Sequence, residues 1–250
     1  MPDTAAAAAM LIAVREGRSP RLAGLGAQAP TTEAEAWAIQ RAVLAHLGGR
    51  IGGYKCATPP GKPPSAALLN AAHVRPAPAR WPVAAGARVG IETEIAFRLG
   101  RDLPARAAPY PREEVLDAVA GCFPAIEMVE TRYIDPKAVT PLEAQADTIA
   151  HAGLICGADV PDWRARDLTG LTVRQTYGNA VQVEKVGGNP SLDPVAPLVW
   201  LANHLPTVGL HLEAGQVVTT GSCTGLLWVE GGARVVGAFL GFGAAVVDLA

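Results

Sequence analysis

Aromatic residues are scarce in this chain, 5% of 250, although half of all its residues are hydrophobic. The core must therefore be built mainly from Val, Leu, Ile and Ala rather than from stacked rings. An excess of one charge is also lacking. Lys and Arg number 21 against 23 Asp and Glu, a formal net charge of −2. That balance argues against nucleic acid or an anionic membrane surface as a partner. No transmembrane helix is expected: the uncharged stretch Val235 to Val247 is too short and too rich in glycine to span a bilayer. It reads instead as a buried strand pair turned at Gly241 and Gly243. The alanine run Ala5 to Ala9 follows Asp3 and no basic segment, so a secretory signal is not expected and a cytoplasmic location is. The cysteines, Cys56, Cys122, Cys156 and Cys223, form no CxxC and have no histidine at metal spacing. The even count leaves disulfides arithmetically open, but reduced, buried thiols are the expectation.

What is present is alternation of short apolar runs with glycine and proline breaks. The length suits one core with an appended N-terminal part, residues 1–75 as an α/β segment and 76–250 as a β-rich domain in one structural unit. Residues 1–48 read as helical, with Thr32 and Glu35 as a capping box and Gly48-Gly49 as the stop. A strand over Arg50 to Ala57 carries Lys55. Thr58 to Pro64 and residues 76–90 read as proline-rich loops. Val89 to Leu99 and Phe123 to Val129 read as strands, with a helix from Pro111 to about Cys122 between them. Leu168 to Val186 suggests a hairpin turned at Gly178-Asn179, Pro194 to Leu205 a helix, and the chain from Gln216 onward short strands. The fold class is α+β, rich in β, with helices concentrated early.

The stretch Ile91-Glu92-Thr93-Glu94-Ile95-Ala96-Phe97 carries the chemistry. On a strand, Glu92 and Glu94 share a face. Glu127 stands alone among apolar neighbours in Phe123 to Val129. Clustered buried carboxylates need a cation or a proton, and oxygen donors suit Mg²⁺ or Mn²⁺. The blander reading of the pair is a solvated sheet face. Lys55, after Gly52-Gly53-Tyr54, can hold a carboxylate or move a proton, or be a surface lysine at a strand end. Gly221-Ser222-Cys223-Thr224-Gly225 can cradle a carboxylate or be a plain turn. Cys223 has no evident base and is not read as a nucleophile. His151 is a ligand-facing group or a hydrogen-bonded core histidine. His73, His204 and His211 show no metal spacing.

Taken in order, Gly53-Tyr54-Lys55, Ile91-Glu92-Thr93-Glu94-Ile95-Ala96 and Pro124-Ala125-Ile126-Glu127 resemble the fumarylacetoacetate hydrolase superfamily. The resemblance is to its branch of 2-keto-4-pentenoate hydratases and 4-oxalocrotonate decarboxylases. Arg101-Asp102-Leu103-Pro104, Asp147 with Ala152-Gly153, Trp200-Leu201-Ala202 and Thr220-Gly221 fall in the same order. The resemblance implies a mixed β roll with a small N-terminal helical α/β segment. It implies Glu92, Glu94 and Glu127 as ligands of Mg²⁺ or Mn²⁺, and Lys55 at the active site in substrate binding and proton transfer. It places Tyr54, Asp147, Thr220, Gly221 and Ser222 around the substrate. It further implies a homodimer or an assembly of dimers and a small 2-oxo acid or dienol as substrate. The implied reaction is hydration in aromatic catabolism. Decarboxylation, C–C hydrolysis of an acylpyruvate, and a non-catalytic keto-acid-binding subunit are the alternatives. The chain departs from the branch where Pro63 to Leu69 lacks the acid usual after the active-site lysine. It departs again where Asp193 stands in place of a frequent His, and where His151 replaces a usual Asn, a position from which His151 is expected to substitute as an acid/base.

Overall fold

The computed structural model describes residues 2–250. Helix α1 (Thr4–Arg15) is capped by Asp3, and α2 (Glu33–His46) by the Thr32–Glu35 capping box expected from the sequence. Between them residues 16–32 are irregular apart from a single 3₁₀ turn, so residues 1–48 are not continuously helical. Gly17, Pro20, Gly24 and Pro30 explain the break. The two helices pack together over Ala7, Leu11, Ala36, Ile39 and Val43.

The first sheet contains β1 (Ile51–Ala57), β2 (Ser65–Asn70), β3 (Val74–Pro76), β5 (Arg88–Leu99), β6 (Val119–Val129), β7 (His151–Cys156), β10 (Val217–Ser222) and β11 (Leu227–Glu230). Its order is β2-β1-β10-β5-β6-β7-β3, with β11 also on β5. Strands β2 and β3 stand at opposite edges, yet only Ala71–His73 separate them in sequence. The sheet must therefore curl until its edges meet, which makes it a roll. A second sheet, β4 (Ala79–Trp81)-β13 (Gly243–Leu249)-β12 (Arg234–Phe239)-β8 (Thr172–Tyr177)-β9 (Ala180–Val186), packs on the outside. Val235, Ala245 and Val247 meet Ile91, Ile126 and Met128 there. Helices α2, α3 (Arg112–Asp117) and α5 (Val195–His204) cover the rest of the outer face. The short helix α4 (Pro141–Ala146) precedes β7.

Some boundaries differ from the sequence reading. Residues 65–70, just past the expected loop at Thr58 to Pro64, form a strand the sequence reading does not include, β2, because they pair antiparallel with β1 from Ala57↔Ser65 to Ile51↔Asn70. Residues 76–90 include β4, which pairs parallel with β13. Helix α3 ends at Asp117, not Cys122, because Val119 to Cys122 are taken by pairing with β5. The hairpin at Gly178-Asn179 and the C-terminal strand pair are as expected. All four cysteines are free and buried. No helix among the described residues is long and apolar enough to cross a membrane.

Candidate active site

The inside of the roll is floored by apolar residues, Leu69, Ala96, Phe123, Ala125, Leu154 and Val217. Strand alternation puts Lys55, Glu94 and Glu127 on that same inner face. Register brings Glu92 directly opposite Glu127 across β5 and β6, a like-charge pair that is unfavourable unless neutralised. Glu92, Glu94 and Glu127 each offer a carboxylate oxygen, and these oxygens lie within 4.8 Å of one another. Glu127 is 0% exposed and Glu94 1%.

Around this cluster the partners are specific. Lys55 Nζ donates to Glu127 Oε1 at 2.6 Å and to the Ile149 carbonyl at 3.2 Å. His151 Nδ1 lies 2.9 Å from the same Glu127 oxygen. An ionised carboxylate only accepts, so Nδ1 carries the proton. The Gly221 N–H donates to Glu94 Oε2 at 2.9 Å, joined by the Thr219 hydroxyl. Gly221 has φ +103°, and a Cβ there would meet Pro190 Cγ at 2.6 Å. Glycine therefore lets the N–H reach the carboxylate.

Electrostatics divide the three acids. Burial works against charge on Glu127, but the Lys55 ammonium and the His151 hydrogen bond hold its carboxyl down to about 2. Burial, then the charge on Glu127, pushes Glu94 up to about 8 and Glu92 up to about 6. The single lysine thus neutralises one carboxylate and leaves Glu92 and Glu94 holding their protons to a higher pH than an ordinary glutamate would. Burial opposes the Lys55 charge as well, yet the three glutamates raise its pKa above the ordinary value. Burial lowers that of His151.

The Ile149 carbonyl reaches Lys55 through an unusual backbone. Thr148, Ile149 and Ala150 all have positive φ, at 54°, 51° and 60°. A left-handed β-branched residue is a conformational outlier, at a cost of about 1–2 kcal/mol for each such residue. Asp147 anchors the turn. Its carboxylate accepts from Arg132 Nε, from the Arg132 backbone N–H at 3.0 Å and from Arg15 at 3.5 Å.

Of the residues singled out from sequence, Lys55, Glu92, Glu94, Glu127, His151 and Gly221 come together. Ser222 stands beside Glu92, its hydroxyl easing that carboxyl downward. Three do not join them. Tyr54 is fully buried on the outer face against Trp37, because it neighbours Lys55 on one strand and must point the opposite way. Thr220 donates to the Ile95 carbonyl at 2.9 Å, again on the outer side. Asp147 is occupied by the two arginines. None of the three is placed to touch substrate, and the expectation is corrected for each. Asp193 pairs with Arg112 at 2.6 Å and caps α5 through the Val195 N–H. Thr219 and the Ile149 carbonyl were not anticipated. Thr219 could have been read from its place two residues before Gly221, but nothing in Thr148-Ile149-Ala150 announces a left-handed turn. Burial raises the Cys223 thiol to about 12 and pushes the Cys56 thiol well above its ordinary value, so neither is a poised nucleophile.

The residues fit a hard divalent cation. All three donors are carboxylates, Glu127 Oε2 is buried without a hydrogen-bond partner among the described residues, and burial raises the pKa of Glu92 and Glu94, a shift that a bound cation would reverse.

A curled β roll with a buried three-carboxylate cluster at its mouth defines the class. The chain belongs to the fumarylacetoacetate (FAA) hydrolase C-terminal family, whose model matches residues 53–249. It is 29% identical over 143 residues to 2-hydroxyhexa-2,4-dienoate hydratase of Comamonas testosteroni, covering 57% of this chain and 53% of that one. It is 30% identical over 139 residues to 2-oxo-hept-4-ene-1,7-dioate hydratase of Escherichia coli, covering 54% and 51%. The chain spans about half the length of the curated relatives it matches. In fold it is similar to 4-oxalocrotonate decarboxylase from Pseudomonas putida G7, solved with magnesium and adipate. The TM-score is 0.82 at 21% identity, over 97% of this chain and 96% of the other.

Proposed function

We propose that this protein is a divalent-metal-dependent hydratase that adds water to a 2-hydroxydienoate or 2-oxo-enoate in aromatic catabolism. One observation carries the reading: three carboxylates converge in a buried site where a single lysine neutralises only one of them. Glu92, Glu94 and Glu127 would hold Mg²⁺ or Mn²⁺. When bound, such an ion supplies Lewis-acid stabilisation of an enolate. The chain's own groups do the rest. Lys55, aimed by Glu127 and the Ile149 carbonyl, holds the substrate carboxylate or carries a proton at Nζ. Gly221 and Thr219 orient Glu94. His151 is 4% exposed and spends Nδ1 on Glu127, so it positions that carboxylate rather than touching substrate. The apolar floor of the roll keeps bulk water from behind the reacting atoms. A homodimer, to be tested by sedimentation, belongs to the same reading.

The test is titration of oxalate, a mimic of the chelating end of a 2-oxo acid, into metal-stripped protein with and without Mg²⁺. Binding that requires Mg²⁺ and disappears in Glu127→Gln supports the site, and hydration of a dienoate then supports the activity. Absence of metal-dependent binding refutes both. The loop at residues 58–64 contains no acidic residue, which favours a second reading, a non-catalytic keto-acid-binding subunit. Oxalate binding with no turnover of any dienoate is its signature.

A further inference from the structure

At the rim of the roll lies a cavity of about 680 Å³. Its walls are mostly apolar, among them Pro63, Pro64, Pro141, Leu142, Ile149 and Trp200. Two residues join it to the carboxylate cluster. Ile149 lines the cavity while its carbonyl accepts from Lys55 Nζ at 3.2 Å. Ser65 also lines it, and it lies on the inner face of β2, two residues from Ala67, the strand partner of Lys55. A small acid gripped by its carboxylate end at Lys55 therefore has this cavity ahead of its other end.

Charge in the cavity is sparse and asymmetric. Glu33 reaches it from the first turn of α2. Its Oε1 is held by three donors, Trp37 Nε1 at 3.1 Å, His204 Nε2 at 2.8 Å and Gln145 Nε2 at 3.4 Å. His204 is itself fixed by stacking on Trp200, ring centroids 4.5 Å apart. Partial burial disfavours the Glu33 charge, but these donors hold its carboxyl below the ordinary range. Its second oxygen makes no hydrogen bond among the described residues and is left to accept one. Lys62 is the lone strong cation in the lining, exposed on the loop between β1 and β2. The anion is thus held by three contacts, while the cation makes no side-chain hydrogen bond or ion pair among the described residues.

We propose that this cavity is the subsite for the distal end of the substrate, and that the fixed carboxylate of Glu33 selects an uncharged, largely apolar tail against one ending in a carboxylate. The inference rests on the reading of the carboxylate cluster given above and adds the substrate class: a monocarboxylic 2-oxo acid or its dienol, not a dicarboxylic one. A distal carboxylate would face both apolar walls, where its desolvation is unfavourable, and a like charge that cannot swing away. A hydrocarbon tail loses nothing to either, and a tail bearing a hydroxyl gains an acceptor.

The experiment measures dissociation constants of oxalate, 2-oxohexanoate and 2-oxoadipate with the Mg²⁺-loaded protein, the Glu33→Gln variant and the Lys62→Ala variant. Oxalate is too short to reach the cavity and reports on the cluster alone. The expected result is oxalate binding together with about tenfold tighter binding of 2-oxohexanoate than of 2-oxoadipate. Glu33→Gln, which keeps the shape and removes the charge, narrows that ratio. Lys62→Ala, an exposed change that spares the fold, widens it. Oxalate binding with 2-oxoadipate held as tightly as 2-oxohexanoate, or tighter, overturns the subsite and leaves the cluster standing. A ratio that moves with neither variant assigns the selection elsewhere and also overturns the proposal. Failure of oxalate itself to bind instead removes the underlying reading.

Discussion

Replacing Lys55 with Met removes the one positive charge in contact with the carboxylate cluster while keeping most of the side-chain volume. Met is an apolar near-match for the lysine stem, so no large cavity is left to confuse the result. What is lost is the 2.6 Å contact to Glu127, between a lysine 13% exposed and a glutamate 0% exposed. Breaking a buried pair by deleting one partner costs about 3–5 kcal/mol, because the other charge stays buried without compensation. For a chain of this size about 2–4 °C of Tm follows each kcal/mol, so metal-free Lys55→Met should melt roughly 6–20 °C below wild type. The pH window follows from the shifts. Glu127 is held down to about 2 from an ordinary 4.5, so its contribution is present above about pH 4.5 and fades as pH falls toward 2. Lys55 is raised above 10.5, so its contribution is present below that pH and lost above it. The deficit of the variant is therefore full between those limits and shrinks in acid. Saturating Mg²⁺ should narrow it, since the cation takes over the counter-charge. Thermal unfolding of both proteins in chelator and in Mg²⁺, at pH 3.5 and pH 7.5, measures all of this. A variant as stable as wild type without metal, or a deficit that Mg²⁺ leaves untouched, would refute the assignment of Lys55 as the neutralising charge.

Three further outcomes follow from the same geometry. Metal affinity should rise with pH, by about two protons displaced below pH 6 and about one between 6 and 8, then level off, because burial and Glu127 keep Glu92 and Glu94 protonated up to those values; affinity that is flat from pH 5.5 to 9 by calorimetry contradicts the shared-proton cluster. Gly53→Ala should destabilise by more than about 3 kcal/mol in denaturant unfolding, since a Cβ there would lie 1.8 Å from the Val217 carbonyl oxygen and φ is +146°; a loss below about 1 kcal/mol would show that β1 and β10 can separate at little cost. Ala150→Gly should be neutral or stabilising by up to about 1 kcal/mol, the reverse of the usual effect of glycine, and a clear loss of stability would mean that the left-handed turn carries little strain.

The readable part of this protein was the part governed by local rules. Alternation alone put Glu92 and Glu94 on one face, and the Thr32–Glu35 spacing gave the start of α2 correctly. The same alternation should have excluded Tyr54, since it and Lys55 are adjacent on β1 and cannot both face inward. Strand β2 was invisible because Ser65 to Asn70 has no alternation and two alanines. It is a strand by virtue of the hydrogen bonds β1 offers it. Asp147 was misread for a different reason. Its partner Arg15 is 132 residues away, and no window of sequence reports that a carboxylate is already taken.

Asp147 also explains how the strained turn persists. Three left-handed residues at about 1–2 kcal/mol each set a cost of about 3–6 kcal/mol, which local contacts must offset. Arg132 is 3% exposed and bonds both the carboxylate and, at 2.8 Å, the carbonyl of Asp147. Arg15 adds its own bonds to the Asp147 carboxylate and the Thr148 hydroxyl. The chain just before the turn is thereby clamped in two places. Just after it, His151 enters β7, opposite Val129 and two residues beyond Glu127 on β6. Within that fixed span the turn aims a carbonyl at Lys55 and an imidazole at Glu127, two groups that already touch each other. A relaxed extended connection would turn the Ile149 carbonyl away from the lysine. The strain is thus the local cost of directing one lysine and one glutamate, and two arginines outside the site, Arg132 buried and Arg15 half-buried, offset it.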